Sequence, residues 1–378
     1  MMDSLYSFFR TPSSTSVPDD ELPDSNELFS TTGPCGIATL FDPEDPLLDI
    51  IFVHGLTGGR ETTWTHKGKK QTLWPRDLLP EDIPRARIIT FGYDADVASF
   101  GLSVAGSNRL RDHGNNLASD VATFREKTDT PTKRPIIFVA HSLGGLVVEQ
   151  LLLISTSAKA LIISRGSPED YLGAILEATY GIIFMGTPHM GADKARWLNT
   201  LTKVNNVLNK SNGDIVALLE PSSEMLANLQ REFHTMLEKR REKEGKRVKL
   251  YCFYEELPVR GIGKKIVEDN SAVLSPTENA AIHGTHMSMT KFVDRKDTGY
   301  CRVQGQIWLW VKALNYPNAQ QRKPHTLGGT QGSPRSYEQS HKAKMITYSG
   351  TINAGGGPVI QTPEMRSAQS INISGRSR

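Results

Sequence analysis

Ile136-Ile137-Phe138-Val139-Ala140-His141-Ser142-Leu143-Gly144-Gly145 is an apolar, β-branched run that breaks at a serine set among small residues. A second apolar stretch, Leu146 to Ile154, follows at once. The first half reads as a buried strand and the second as a helix. A serine on so tight a strand-to-helix turn is lifted clear of the sheet. The residues two before and two after it must be small for strand and helix to approach. Ala140 and Gly144 occupy those places, one methyl group away from the G-x-S-x-G pattern. The stretch reads as a nucleophile elbow, with Ser142 as the candidate nucleophile.

A serine hydroxyl is a weak nucleophile unless a histidine takes its proton and a carboxylate orients that histidine. When the serine comes first in the chain, the acid follows the next-to-last strand and the histidine the last. Val248 to Tyr254 reads as a strand and ends in Glu255-Glu256-Leu257-Pro258. Lys265 to Val267, with Ser271 to Leu274, reads as a short last strand and its exit, before Ile282-His283-Gly284-Thr285-His286-Met287. His286 is the candidate base and His283 the reserve. The acid stays open between Glu255 and Glu256, with Asp269 and Asp193 as further alternatives. Side chains alternate along a strand, so only one of the two glutamates can face His286. The remaining requirement is an oxyanion hole, two backbone N–H groups aimed at the oxygen that becomes charged. Losing one such donor costs about 3 kcal/mol of transition-state stabilisation. Leu143 supplies one, and Leu56 the other, in the His54-Gly55-Leu56-Thr57-Gly58-Gly59 loop after the strand Asp49 to Val53. His54 and His141 read as structural.

Strand-like runs alternate with helical patterns, which argues for βα units. The expected fold class is α/β, with a mostly parallel, doubly wound sheet and helices on both faces. Strands are expected at Asp49 to Val53, Ala86 to Phe91, Pro135 to Ala140, Tyr180 to Met185, Val248 to Tyr254 and Lys265 to Val267. Helices are expected at Asn108 to Lys127, Gly144 to Thr156 and Gly305 to Leu314, where Trp308 and Trp310 read as docking residues. Residues 1–35 form a lead-in, flexible in its Ser-, Thr- and Pro-rich part, and 36–314 the catalytic domain. Residues 194–247 form a helical insertion placed to cap the pocket, with Met225, Leu229, Phe233 and Leu237 at helical spacing. Residues 315–378 are polar, rich in Gly, Ser, Thr and Gln, and are expected not to pack as a domain. Within them, 345–361 is low in charge and β-prone, as cross-β segments are, although Pro358 interrupts it.

The chain has 378 residues and a formal charge of +3 from 44 basic and 41 acidic side chains, too balanced for nucleic-acid binding through a basic surface. Three widely spaced cysteines form neither a disulfide framework nor a zinc motif. An intracellular, reducing location is expected. The chemistry above needs no metal or organic cofactor. Leu5, Tyr6, Phe8 and Phe9 cluster near the N-terminus without the core of a signal peptide, so a protein that is not secreted is expected. No apolar stretch reaches the length of a membrane span. Peripheral membrane contact stays open.

His54-Gly55-Leu56, Phe91-Gly92-Tyr93-Asp94-Ala95, Ala140 to Gly145, Gly186-Thr187-Pro188-His189, Phe253 to Pro258 and His286-Met287 through Lys291-Phe292 occur in that order. Over residues 36–314 the chain resembles an α/β-hydrolase branch. The branch includes the serine-active-site-containing protein family, GPI-inositol-deacylase-like lipases and lipase-like domains of fungal NLR-type immune proteins. The resemblance implies an α/β-hydrolase fold and a serine esterase or lipase acting on a lipid or other acyl ester. It puts Ser142, Glu255 and His286 at the triad positions, which favours Glu255 over Glu256. It also implies peripheral placement on mitochondrial or endoplasmic-reticulum membranes, beside the expectation of cytoplasmic placement. The tail resembles the short amyloid-forming motifs of some fungal NLR partners. That likeness implies an alternative function, a signalling effector or binding module joined to an NLR-type receptor or to itself through the tail.

Overall fold

A strand that is apolar on both sides must be covered on both sides, and β2 (Leu48–Val53) and β6 (Ile136–His141) are buried along their whole length. The computed structural model describes residues 33–56, 58–95, 104–160, 168–189, 222–245, 247–259, 263–274 and 277–315. Its main sheet also contains β1 (Gly36–Phe41), β5 (Ala86–Gly92), β7 (Thr179–Met185), β8 (Lys249–Glu255) and β9 (Glu278–Ile282). The order is β1-β5-β2-β6-β7-β8-β9, with β1 antiparallel and the others parallel. A two-stranded hairpin, β3 (Thr65–His66) and β4 (Thr72–Leu73), stands apart from it. The described helices are α1 (Trp74–Asp77), α2 (Leu79–Asp82), α3 (Val104–Lys127), α4 (Leu143–Ala160), α5 (Pro168–Ala178), α6 (Ser222–Glu244), α7 (Asp269–Ala272) and α8 (Thr298–Asn315).

Alternation along the strands builds two cores, one on each face of the sheet. Ile51, Val53, Phe138 and Phe184 face Leu117, Leu146, Leu151, Ile175 and Phe233, which belong to α3, α4, α5 and α6. Ile50, Phe52, Val139 and Met185 face Trp74, Leu79, Tyr300 and Ile307, from α1, α2 and α8. In α6 the buried apolar residues are Leu229, Phe233 and Met236, and Gln230 and Arg240 are buried beside them. This part of the 194–247 insertion therefore lies in the helical layer over the sheet. Gln230 of α6 donates to the fully buried Glu149 of α4, and His189 Nδ1 lies 3.2 Å from the same carboxyl group. Burial holds Glu149 well above the usual carboxylate range.

One expected strand sits elsewhere. Lys265 to Val267 is not in the sheet, and the last strand is β9, Glu-Asn-Ala-Ala-Ile. A polar edge strand carries no apolar run for sequence reading to find. The Val267 amide bonds the side chain of Glu255 instead of a neighbouring strand. The antiparallel β1 is an addition to the expected set. Trp310 docks on the sheet, so close to Gly181 that a Cβ there would stand 2.4 Å from the indole. Trp308 does not dock and is 44% exposed. Its place on the opposite side of α8 explains the difference. Among the described residues, no helix is long and apolar enough to cross a membrane. The lead-in up to residue 32, the first part of the insertion with Asp193, and the tail with its segment 345–361 lie outside the described residues.

The lower end of the sheet is held by charge. Asp49, fully buried in β2, bonds Arg87 Nε of β5 at 2.9 Å and Arg125 of α3, and lies 3.7 Å from Arg134. Arg87 also reaches Thr128 and Thr130, and Arg125 the carbonyls of Pro131 and Arg134. Removing one partner of such a buried network leaves charge uncompensated, which costs about 3–5 kcal/mol. Asp49→Ala is therefore expected to lower unfolding stability by about that much in urea titrations. A loss below about 1 kcal/mol would contradict this account of the cluster.

Candidate active site

β6 ends at His141 and α4 begins at Leu143, which leaves Ser142 at the turn between them. Its φ is +52°, a left-handed value shared by Asp129 alone among the described non-glycine residues. Such strain persists only where the surroundings over-determine it. The Ser142 N–H donates to the Met185 carbonyl at 2.9 Å, and its own carbonyl accepts from Gly145 N–H at 3.1 Å. A Cβ at Gly144 would stand 2.3 Å from the His54 carbonyl oxygen, and one at Gly145 2.2 Å from Thr187 Oγ1. Ala140 is fully buried within the core. The turn thus accommodates alanine before the serine and requires glycine after it.

The loop after β2 runs beside the serine. A Cβ at Gly55 would lie 2.7 Å from Ser142 Cβ. His54 fixes this loop. Tyr93 N–H donates to His54 Nε2 at 3.2 Å, which leaves Nδ1–H to donate to the Gly55 carbonyl at 2.9 Å. The Tyr93 ring stacks on the imidazole with centroids 4.4 Å apart. Burial pushes His54 down to about 4, so the ring is neutral and the tautomer is consistent. Neither the Leu56 nor the Leu143 amide takes part in the turn and loop hydrogen bonds of the described residues. Leu143 opens α4, where helix N–H groups lack intrahelical acceptors.

His286 lies just beyond β9, and its Nε2 is 2.9 Å from Ser142 Oγ. With Nε2 accepting the hydroxyl proton, Nδ1 carries the N–H and faces Glu255 Oε1 at 3.8 Å. Glu255 is the last residue of β8, fully buried, and its Oε1 accepts from Val267 N–H at 2.7 Å. His286 Nδ1 and Glu255 Oε2 have no hydrogen-bond partner among the described residues. An approach of about 1 Å would join Nδ1 to the carboxylate in a bond of ordinary length. His141 Nε2–H donates to the His286 carbonyl at 3.0 Å, and burial pushes His141 down to about 4. This bond to the His286 backbone helps position the base, a contact invisible in the sequence. Gly186, at φ +61°, lies so close to the His286 ring that a Cβ would be 3.1 Å from Nδ1.

The alternatives fall elsewhere. Glu256 and His283 pair with each other at 3.0 Å, 50% and 71% exposed. Asp269 pairs with Lys265 at 2.7 Å on the surface. Strand parity thus turns Glu255 inward and Glu256 out, as alternation requires.

A parallel sheet with one antiparallel edge, a serine elbow after β6, a carboxylate at the end of β8 and a histidine after β9 are now all in place. The fold is that of the α/β-hydrolases. The family model described as "Putative serine esterase (DUF676)" matches residues 45–218, which include the oxyanion-type loop and the elbow. Protein SERAC1 of Mus musculus is 27% identical, over 39% of this chain and 23% of that protein. The Danio rerio protein of the same name is 29% identical over the same shares. The chain thus spans about a quarter of the length of the curated relatives it matches. Among solved structures, the chain is similar to Bacillus licheniformis lipase BlEst2 in mature form, with TM-score 0.41, 15% identity, and coverage of 74% of this chain and 99% of that one. It is also similar to a protein of Burkholderia cenocepacia described as "a putative aryl esterase", with TM-score 0.34, 18% identity, and coverage of 74% and 94%.

Burial raises the Glu255 carboxyl to about 7, while the Val267 amide pulls it down. His286 is held well below the usual imidazole range by burial and, secondarily, by His141. A charged Glu255 would balance an imidazolium at His286, and its ionised fraction grows as pH rises through about 7. The expected kcat/KM for 4-nitrophenyl butyrate therefore rises with pH through that range and falls below it. Glu255→Gln should lower kcat about a thousandfold or more and abolish this limb, whereas Glu256→Gln should change the rate less than about twofold. Equal losses in the two variants would overturn the distinction.

Proposed function

We propose that this protein is a serine hydrolase of the esterase or lipase type, cleaving an acyl ester through Ser142, His286 and Glu255. The single observation that carries the reading is the 2.9 Å contact between His286 Nε2 and Ser142 Oγ, made by a serine whose backbone is held at +52°. In the first step Oγ attacks the ester carbonyl carbon as its proton passes to Nε2. The carbonyl oxygen becomes an oxyanion and is held by the Leu56 and Leu143 amides. Collapse breaks the bond to the alcohol oxygen, which takes the proton from Nε2. A water then repeats the sequence on the acyl-serine, giving up its proton to Nε2, and releases the acid. Glu255 keeps Nδ1 protonated and offsets the imidazolium charge in both halves.

The match of residues 45–218 to a serine esterase family supports this chemistry. A lipid acyl ester is the substrate class we assign. The signalling-module alternative depends on residues 316–378, and no observation within the described residues favours it. Ser142→Ala is expected to reduce hydrolysis of 4-nitrophenyl butyrate by about a thousandfold or more while leaving thermal unfolding within a few degrees of wild type. Turnover that survives the substitution would overturn the proposal.

A further inference from the structure

An acid, an imidazole and a thiol meet inside the fold, and the chemistry above uses none of them. Glu149 of α4, His189 just past β7 and Cys252 of β8 are all buried. Among the described residues, Glu149 is met by the Gln230 amide and, at 3.2 Å, by His189 Nδ1, but by no arginine or lysine. Asp49, equally buried, has Arg87, Arg125 and Arg134 around it. A buried carboxylate without such a counter-charge is costly, so the carboxyl keeps its proton. Burial accordingly holds Glu149 well above the usual carboxylate range. Glu149 Oε1 and both ring nitrogens of His189 have no aligned hydrogen-bond partner among the described residues, so a small turn of either side chain can bring the acid proton onto Nδ1.

A ring that accepts at Nδ1 carries its own proton on Nε2. The same ring borders the Cys252 thiol. Burial pushes that thiol up, yet it lies below its usual range because of the His189 side chain, with the Leu274 backbone and Thr277 adding to the effect. An imidazole N–H turned toward sulfur acts in this direction. From α6, His234 lies within electrostatic reach of the ring.

The segment Gly186-Thr187-Pro188-His189 also reaches each part of the proposed triad. Gly186 packs against the His286 ring, and Thr187 against Gly145 of the elbow. His189 N–H donates to the Ser271 carbonyl at 2.7 Å. Ser271 belongs to α7, shortly after Val267, whose amide grips Glu255. Burial raises the Glu255 carboxyl, while the backbone of Val267, His286 and Ile266 and the charge of Lys265 pull it back. Lys265, Ile266 and Val267 form one segment, and His189 fastens the chain just beyond it.

We propose that His189 is a positioning residue for the hydrolysis: taking the Glu149 acid proton at Nδ1 and turning Nε2–H toward Cys252, it ties the elbow helix α4 to the segment 265–272 that holds Glu255. The role rests on the esterase reading and deepens it. His189→Phe keeps a ring and removes both nitrogens. It should lower kcat for 4-nitrophenyl butyrate about tenfold or more with KM within about twofold. It should also move the limb of kcat/KM that rises through about 7 upward by roughly half a pH unit or more, because Glu255 loses the hold of residues 265–267. His189→Asn, whose Oδ1 takes the place of Nδ1, should restore most of the rate and return the limb. At the other end of the bond, Glu149→Gln can still donate to Nδ1 and should keep the limb where it is, whereas Glu149→Leu should raise it. Nitrogen-15 NMR of the wild-type protein should place the His189 proton on Nε2, a reading that needs neither turnover nor a variant. A His189 proton on Nδ1, or an unmoved limb in folded His189→Phe or Glu149→Leu, overturns the inference. A wild type without turnover would count against the esterase reading itself, and the NMR measurement would still decide how His189 is bonded.

Discussion

The left-handed backbone at Ser142 constrains every segment around it. At +52° a non-glycine residue is held against its own preference, at a cost of about 1–3 kcal/mol. Three things hold it there: the ladder bond to Met185, the start of α4, and the close passage of the His54-Gly55 loop. The helix start and the loop passage require residues of minimal size. Gly55, Gly144 and Gly145 have no room for a side chain, because backbone or Thr187 occupies the space a Cβ would need. The turn is therefore set by packing before any chemistry occurs.

Burial then determines the electrostatics. The parallel sheet excludes water from Glu255, and the carboxyl rises to about 7. The same exclusion keeps His54 and His141 neutral, so each serves as a hydrogen-bonding strut. At the opposite ends of the strands, Asp49 is just as buried yet is matched by arginines on β5 and α3. The contrast between these two buried acids is informative. The structural one is surrounded by charge and hydrogen bonds, whereas the one at the candidate site retains an oxygen without a hydrogen-bond partner among the described residues.

Much of this was legible in the sequence because chemistry-bearing residues stand at the ends of apolar runs. Val139-Ala140-His141-Ser142 and Phe253-Tyr254-Glu255 mark strand ends through composition alone. Strand β9 was not legible, since Glu-Asn-Ala-Ala-Ile lacks apolar alternation and its place is set by pairing with β8. The choice between Glu255 and Glu256 needed register as well as parity. In the sequence they are adjacent, but in the sheet one is sealed and the other is solvated with His283.

The central claim is that Ser142 is activated by its surroundings. The direct measurement is peptide mapping by mass spectrometry after reaction of the folded protein with diisopropyl fluorophosphate. The account predicts a single phosphoryl adduct on Ser142, absent in His286→Ala. An adduct on another serine, or none on the folded wild-type protein, would contradict it.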